Sequence, residues 1–161
     1  MAYTLFLRDN PDTPSCFDWL LADVTGEIHA QGEGVEQSQV EARLAEMEVS
    51  RVQIVGIVSA FDVTHCTARI PGRQKRVIHQ ALPFAVEEQI AQDIDSVHLA
   101  LGSQSNNEWQ VAAIDEATFD AYLQRLEAWD YPVSAVHADA MLLPLDNQQW
   151  TILLEAEQAL I

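Results

Sequence analysis

Asp9, Asp18, Asp23 and Asp62 are four carboxylates set at the ends of apolar, β-rich runs, and they are the first groups here whose type could do chemistry. Carboxylates that converge within a few ångströms can hold a pair of divalent cations and activate water. On an extended run from Phe17 to Val24, Asp18 and Asp23 have opposite parity, so they point to opposite faces. The set therefore reads as solvated strand ends rather than a two-metal centre. Histidines at 29, 65, 79, 98 and 137 form no HxH or HxxxH pair. His98 shares strand parity with Ala100 and is expected to pack at a strand edge. Cys16 and Cys66 match neither a zinc spacing nor CxxC, so two reduced thiols are expected, one or both buried. No Ser stands in a GxSxG elbow. No catalytic, metal or cofactor site is assigned.

The remaining chemistry is charge. Twenty-five acids against eight bases give a net charge of −17. Phosphate backbones are bound by Lys and Arg clusters, so nucleic acid is excluded as a partner. An anionic membrane surface is disfavoured for the same reason. A basic protein partner fits, and so does solubility alone. Hydrophobic residues make up 48% of the 161 residues, enough for a real core. No run of about 18 apolar residues exists to span a bilayer. The N-terminal stretch lacks the basic region and apolar run of a signal peptide, so a cytoplasmic location is expected.

The elements that must position these groups follow from periodicity. Strands are expected at 3–8, 17–24 and 27–33, with Gly32 and Gly34 ending the third. Ser38 is expected to cap a helix over 39–47, with Glu41 completing a capping box. Residues 51–60 form a near-continuous β-branched run, expected as a strand buried on both faces. Another strand is expected over 61–70. The order β-β-β-α-β begins a ribonuclease-H-like lobe. A basic helix opens at Arg73, and Pro83 either kinks it or starts a second helix that runs to about Ile94. Leu82, Val86, Ile90 and Ile94 repeat by four and form one stripe, expected to be buried. Strands at 96–101 and 108–114 flank a loop, Asp115 caps a helix over 116–129, and a strand follows at 132–137. A strand over 150–154 and an apolar end look like half of a further unit, so a longer chain is expected. The expected division is 1–72, a ribonuclease-H-like lobe; 73–145, a smaller α/β unit; and 146–161, the start of a third.

The segment ALPFAVEEQIAQDIDSVHLALG, residues 81–102, is the most specific stretch of the chain. With the early hairpin FDWLL…GE, the run WQVAAI at 109–114 and ADAMLLP at 138–144, it resembles the L protein of the bacterial type II secretion system. The resemblance implies an α/β fold of actin-like ATPase lobes, ribonuclease-H-like, with mixed sheets. It implies a non-catalytic cytoplasmic scaffold of the inner-membrane platform that docks the secretion ATPase, the E protein, through that ATPase's N-terminal region. Longer members continue into a transmembrane helix and a periplasmic domain that contacts the M protein, parts absent from this sequence. A homodimer is also compatible with it.

An actin-like fold raises the alternative of a nucleotide-driven switch. Phosphate binding there needs an Asp at the end of the first strand and a glycine-rich turn. Asp9 is present, but Asn10-Pro11-Asp12-Thr13-Pro14 follows, with two prolines and no glycine. Neither tight nucleotide binding nor ATP hydrolysis is expected. The interaction surface is the remaining candidate. Glu87, Glu88, Asp93 and Asp95 are expected to cluster late in one helix and to meet basic residues of the partner. Arg69, Arg73, Lys75 and Arg76 precede them and offer an intramolecular alternative.

Overall fold

The structure, a computed structural model, describes residues 2–10, 13, 15–71, 75–144, 151–155 and 158–160. Contacts divide the chain into two compact units, 1–60 with 123–161, and 61–122. This differs from the division expected at 72 and 145. The strand after residue 60 pairs into the second unit's sheet, and the strand after the last helix returns to the first.

The first unit is built on strands β1 (Tyr3–Asp9), β2 (Cys16–Asp23), β3 (Ile28–Glu36), β4 (Val52–Val58) and β8 (Val133–Ala138), in the order β3-β2-β1-β4-β8. β1 lies antiparallel to β2 and parallel to β4, and β8 is parallel to β4. Parity sorts the side chains. Leu5 and Leu7 on β1, Leu21 on β2 and Ile54 on β4 are fully buried. Their neighbours Phe6, Leu20, Val55 and Ile57 are half-buried on the other face. Helix α1 (Gln37–Glu46) contributes Val40 and Leu44, one turn apart, to the buried side. Phe17 meets Trp129 edge-on at 5.4 Å.

Three local expectations are corrected here. Helix α1 begins at Gln37 with no side-chain cap. Glu41 accepts from the Gln37 amide at 2.7 Å, so it closes no capping box with Ser38. β3 does not end at its glycines; it runs through both to Glu36. A Cβ on Gly32 would lie 2.6 Å from the Trp19 indole nitrogen, and Gly34 sits at φ +60. There β2 and β3 slip register between Phe17 and Trp19, and glycine permits the bulge.

The second unit holds β5 (Val63–Ala68), β6 (Val97–Ser105) and β7 (Glu108–Asp115), in the order β5-β7-β6 and all antiparallel. The expected loop at 103–107 shrinks to Asn106-Asn107, both left-handed at φ 49 and 65, the geometry of a tight hairpin turn. Helix α2 (Lys75–Val86) packs Ile78, Leu82 and Val86 against Cys66, Ala68, Val111 and Ala113. It runs continuously through Pro83 and stops at Val86. Residues Glu87–Gln89 form a 3-10 turn, Ile90 is extended, and Ile94–Ser96 make a second 3-10 turn. The expected helix to Ile94 is thus cut by two turns. Ile90 is nevertheless buried, Ile94 half-buried.

Helix α3 (Glu116–Glu127) leads from the second unit back to the first. Asp115 caps it as expected, accepting from the Thr118 backbone at 2.8 Å and its hydroxyl at 2.9 Å. Those bonds, the backbone N–H first, hold the Asp115 carboxyl below its ordinary range. A short hairpin, β9 (Leu153–Glu155) with β10 (Gln158–Leu160), is described near the end. The expected strand over 150–154 lies partly outside the described residues.

Candidate functional site

Two places gather chemistry, one in each unit. The first is where β1, β4 and β8 end. Arg8 and Asp9 are consecutive on β1 and so face opposite sides of the sheet. Arg8 reaches Asp139 at 3.0 Å and Asp18 at 3.9 Å. Asp139 is buried, and its other oxygen accepts from the backbone N–H of Ala60 at 2.9 Å and Ala140 at 2.7 Å. Asp18 also accepts from the Asn10 amide at 2.7 Å and the Gly34 N–H at 2.9 Å. Asp9 is paired with Arg125 of α3. Each charge at the strand ends is met from within the unit.

Beside this cluster a groove of about 490 Å³ runs over Phe6, Leu20 and Ile57, bounded by Arg8, Asp18 and Glu33. One guanidinium against two carboxylates leaves the strand end negative, which repels a phosphate. The Thr13 N–H donates to the Asn10 side-chain oxygen at 2.8 Å. Pro11, Asp12 and Pro14 lie outside the described residues.

The carboxylates suspected of holding metal are therefore used separately. Asp23 is buried at the β2–β3 turn and accepts from the Thr25 hydroxyl at 2.6 Å, the Thr25 N–H at 2.8 Å and the Glu27 N–H at 3.1 Å. Its second oxygen meets His29 at 3.1 Å. The Thr25 hydroxyl, then His29, hold its carboxyl far below the usual range. Asp23, Glu27 and His29 do lie close enough to share an ion, but the hydrogen bonds already explain Asp23 as a turn anchor. Asp62 is exposed in a 3-10 turn. His98 stacks on Phe119 at 4.5 Å, a packing role. Both cysteines are free and buried, and burial pushes the Cys66 thiol up.

The second place is the segment from α2 to β6. Glu87, Glu88, Asp93 and Asp95 are all exposed. Rather than sharing one helix, Glu87 and Glu88 lie in the first 3-10 turn, Asp93 caps the second and Asp95 lies within it. Asp93 is partly committed locally, since its side chain accepts from the Asp95 N–H at 3.1 Å. The ion pairs among the described residues fall on Asp9, Asp18, Asp23, Glu46, Glu108 and Asp139, none in this segment. Arg69, a suspected internal partner, is paired with Glu108 at 2.7 Å. Arg73 lies outside the described residues.

Gln89 sets the position of this segment. Its amide donates to the Thr67 carbonyl at 2.9 Å and accepts from the Thr67 N–H at 3.3 Å. It thereby pairs with edge strand β5 as another strand would. Sequence reasoning missed this role, because Thr67 is distant in the chain and nothing local marks it. It also missed Arg8, whose signal was a lone cation at even parity in an apolar strand. Asp139 had been noticed only through the resemblance. Phe84 was missed as a surface residue, although the stripe Ile78, Leu82, Val86 places it on the opposite face.

The sheet order β3-β2-β1-β4-β8, with a helix after the third strand and a smaller unit inserted after the fourth, is the ribonuclease-H-like lobe of actin-like architecture. A solved structure supports the same fold: the cytoplasmic domain of EpsL, an inner-membrane component of the Vibrio cholerae type II secretion system, matches with TM-score 0.70 and 24% identity over 91% of this chain and 61% of that one. A type IV pilus biogenesis complex, PilM–PilN, matches with TM-score 0.61 and 14% identity over 85% of this chain and 47% of that one. The family model for type II secretion system protein L matches residues 5–161, and the chain belongs to that family, a component of the secretion machinery. Protein L of Dickeya chrysanthemi is 32% identical over 91% of this chain and 36% of its own length. Protein L of Pseudomonas aeruginosa is 37% identical over 51% of this chain and 22% of its own. The chain thus spans about a third or less of these relatives.

Proposed function

We propose that this chain is a non-catalytic scaffold on the cytoplasmic side of the inner membrane, which docks the N-terminal domain of the secretion ATPase. The docking surface is the acid-rich segment of the second unit, with Glu87, Glu88, Asp93 and Asp95 meeting Lys and Arg of the ATPase. One observation carries the reading: these carboxylates are exposed and take part in none of the ion pairs among the described residues, while those at the strand ends are matched internally. The net charge of −17 favours a basic partner surface. Contacts with the M protein and the membrane belong to parts of the full protein outside this chain. The alternative, a nucleotide-driven switch, meets a strand end that Arg8 and Asp139 already fill.

Surface plasmon resonance against the ATPase N-terminal domain tests this at two salt concentrations. Glu87→Lys/Glu88→Lys is expected to slow association and flatten its salt dependence, with a smaller effect on dissociation. Unchanged kinetics at both salts exclude this segment. Saturable binding of Mg-ATP by calorimetry overturns the scaffold reading.

A further inference from the structure

Phe84 is 81% exposed, on a helix whose opposite face is fully committed to the core. Val77, two turns earlier on the same face, is 44% exposed. Gln80 lies between them and is exposed as well. Glu87 and Glu88 follow Phe84 at the i+3 and i+4 positions, carried on by the 3-10 turn. Phe84 is thus an aromatic side chain left in water at the end of a well-packed helix, outside the core cluster of this unit. A Phe ring flanked by carboxylates is instead the pattern of an interface anchor with a charged rim.

We infer that Phe84 is the apolar anchor of the docking surface and enters an apolar pocket ringed by Lys or Arg on the partner protein. The inference rests on the docking reading above and adds to it the feature that supplies affinity. The adjoining carboxylates select the occupant. A second copy of this chain would bring the same acidic rim against itself, and like charges in register oppose pairing. An anionic lipid surface is repelled for the same reason. A basic-rimmed protein pocket satisfies the ring and the carboxylates together.

The test uses the 161-residue chain with the immobilised ATPase N-terminal domain. Phe84→Ala and Phe84→Gln both keep a good helix former at an exposed position, and unfolding midpoints verify the fold of each. Each is expected to weaken binding by about 30-fold or more, mainly through faster dissociation. Phe84→Leu is expected to retain most of the affinity. Glu87→Lys/Glu88→Lys is expected to act on association instead. If both Phe84 truncations bind like the parent while the charge reversal weakens binding, the anchor is refuted and the docking surface stands. If the parent itself does not bind, the docking reading fails, and the anchor fails with it. A parent dimer in sedimentation velocity that Phe84→Ala turns into monomer assigns the face to self-association and overturns the inference.

Discussion

The carboxylates of the two units are treated in opposite ways. At the strand ends of the first unit, Asp139 is held by Arg8 and two backbone N–H groups, and Asp9 by Arg125. In the second unit Glu87, Glu88 and Asp95 point into water beside an exposed Phe84. Buried charge must be compensated where it stands, whereas exposed charge is free to be compensated by a partner. The strand-end carboxylates of the first unit are thus met by its own side chains and backbone, whereas Glu87, Glu88 and Asp95 take part in no ion pair among the described residues.

That contrast can be broken by mutation. The largest effect is expected from the buried side of the surface segment itself. Ile90→Ala removes a core side chain packed in the second unit and is expected to cost about 2–5 kcal/mol in chemical denaturation. Asp139→Ala strips Arg8 and two backbone donors of their acceptor, at about 3 kcal/mol. Acid should act next, through the turn of the first unit. Asp23 is held below the ordinary Asp range by Thr25 and His29, so its contribution is complete above the unfolded pKa of about 3.9 and is lost as pH falls through the lower folded value. Asp23→Asn should flatten the fall of the urea midpoint below about pH 4. The smallest effect is expected from Glu87→Lys/Glu88→Lys, which should leave stability within about 0.5 kcal/mol. A large loss there would mean that these carboxylates have internal partners, and the contrast would disappear.

Much of this was legible from periodicity. The alternation in Tyr3–Asp9 gave the central strand, and the four-residue repeat from Leu82 marked Leu82, Val86 and Ile90, which are buried, and Ile94, which is half-buried. The same repeat overstated the helix. Burial reports which side chains face the core, and an extended Ile90 reaches it as well as a helical one. Just past the helix end, Gln89 pairs with Thr67, a non-local contact that periodicity does not report. The two contact units differ from the expected division for a related reason: β5 and β8 have ordinary strand sequences, and only pairing tells which sheet each joins. At the candidate site, the acidity of 87–95 was visible in composition. The exposure of Phe84 depends on which helix face packs, and the Arg8–Asp139 pair joins residues 131 apart.

The most direct measurement is an amide chemical-shift map of the labelled chain titrated with the N-terminal domain of the secretion ATPase. Perturbations are expected to concentrate at residues 76–96, with the strongest at Phe84, Glu87 and Glu88, while Arg8, Asp18 and Asp139 keep their shifts. Perturbations centred on the ends of β1, β4 and β8, with 76–96 unchanged, would contradict the account.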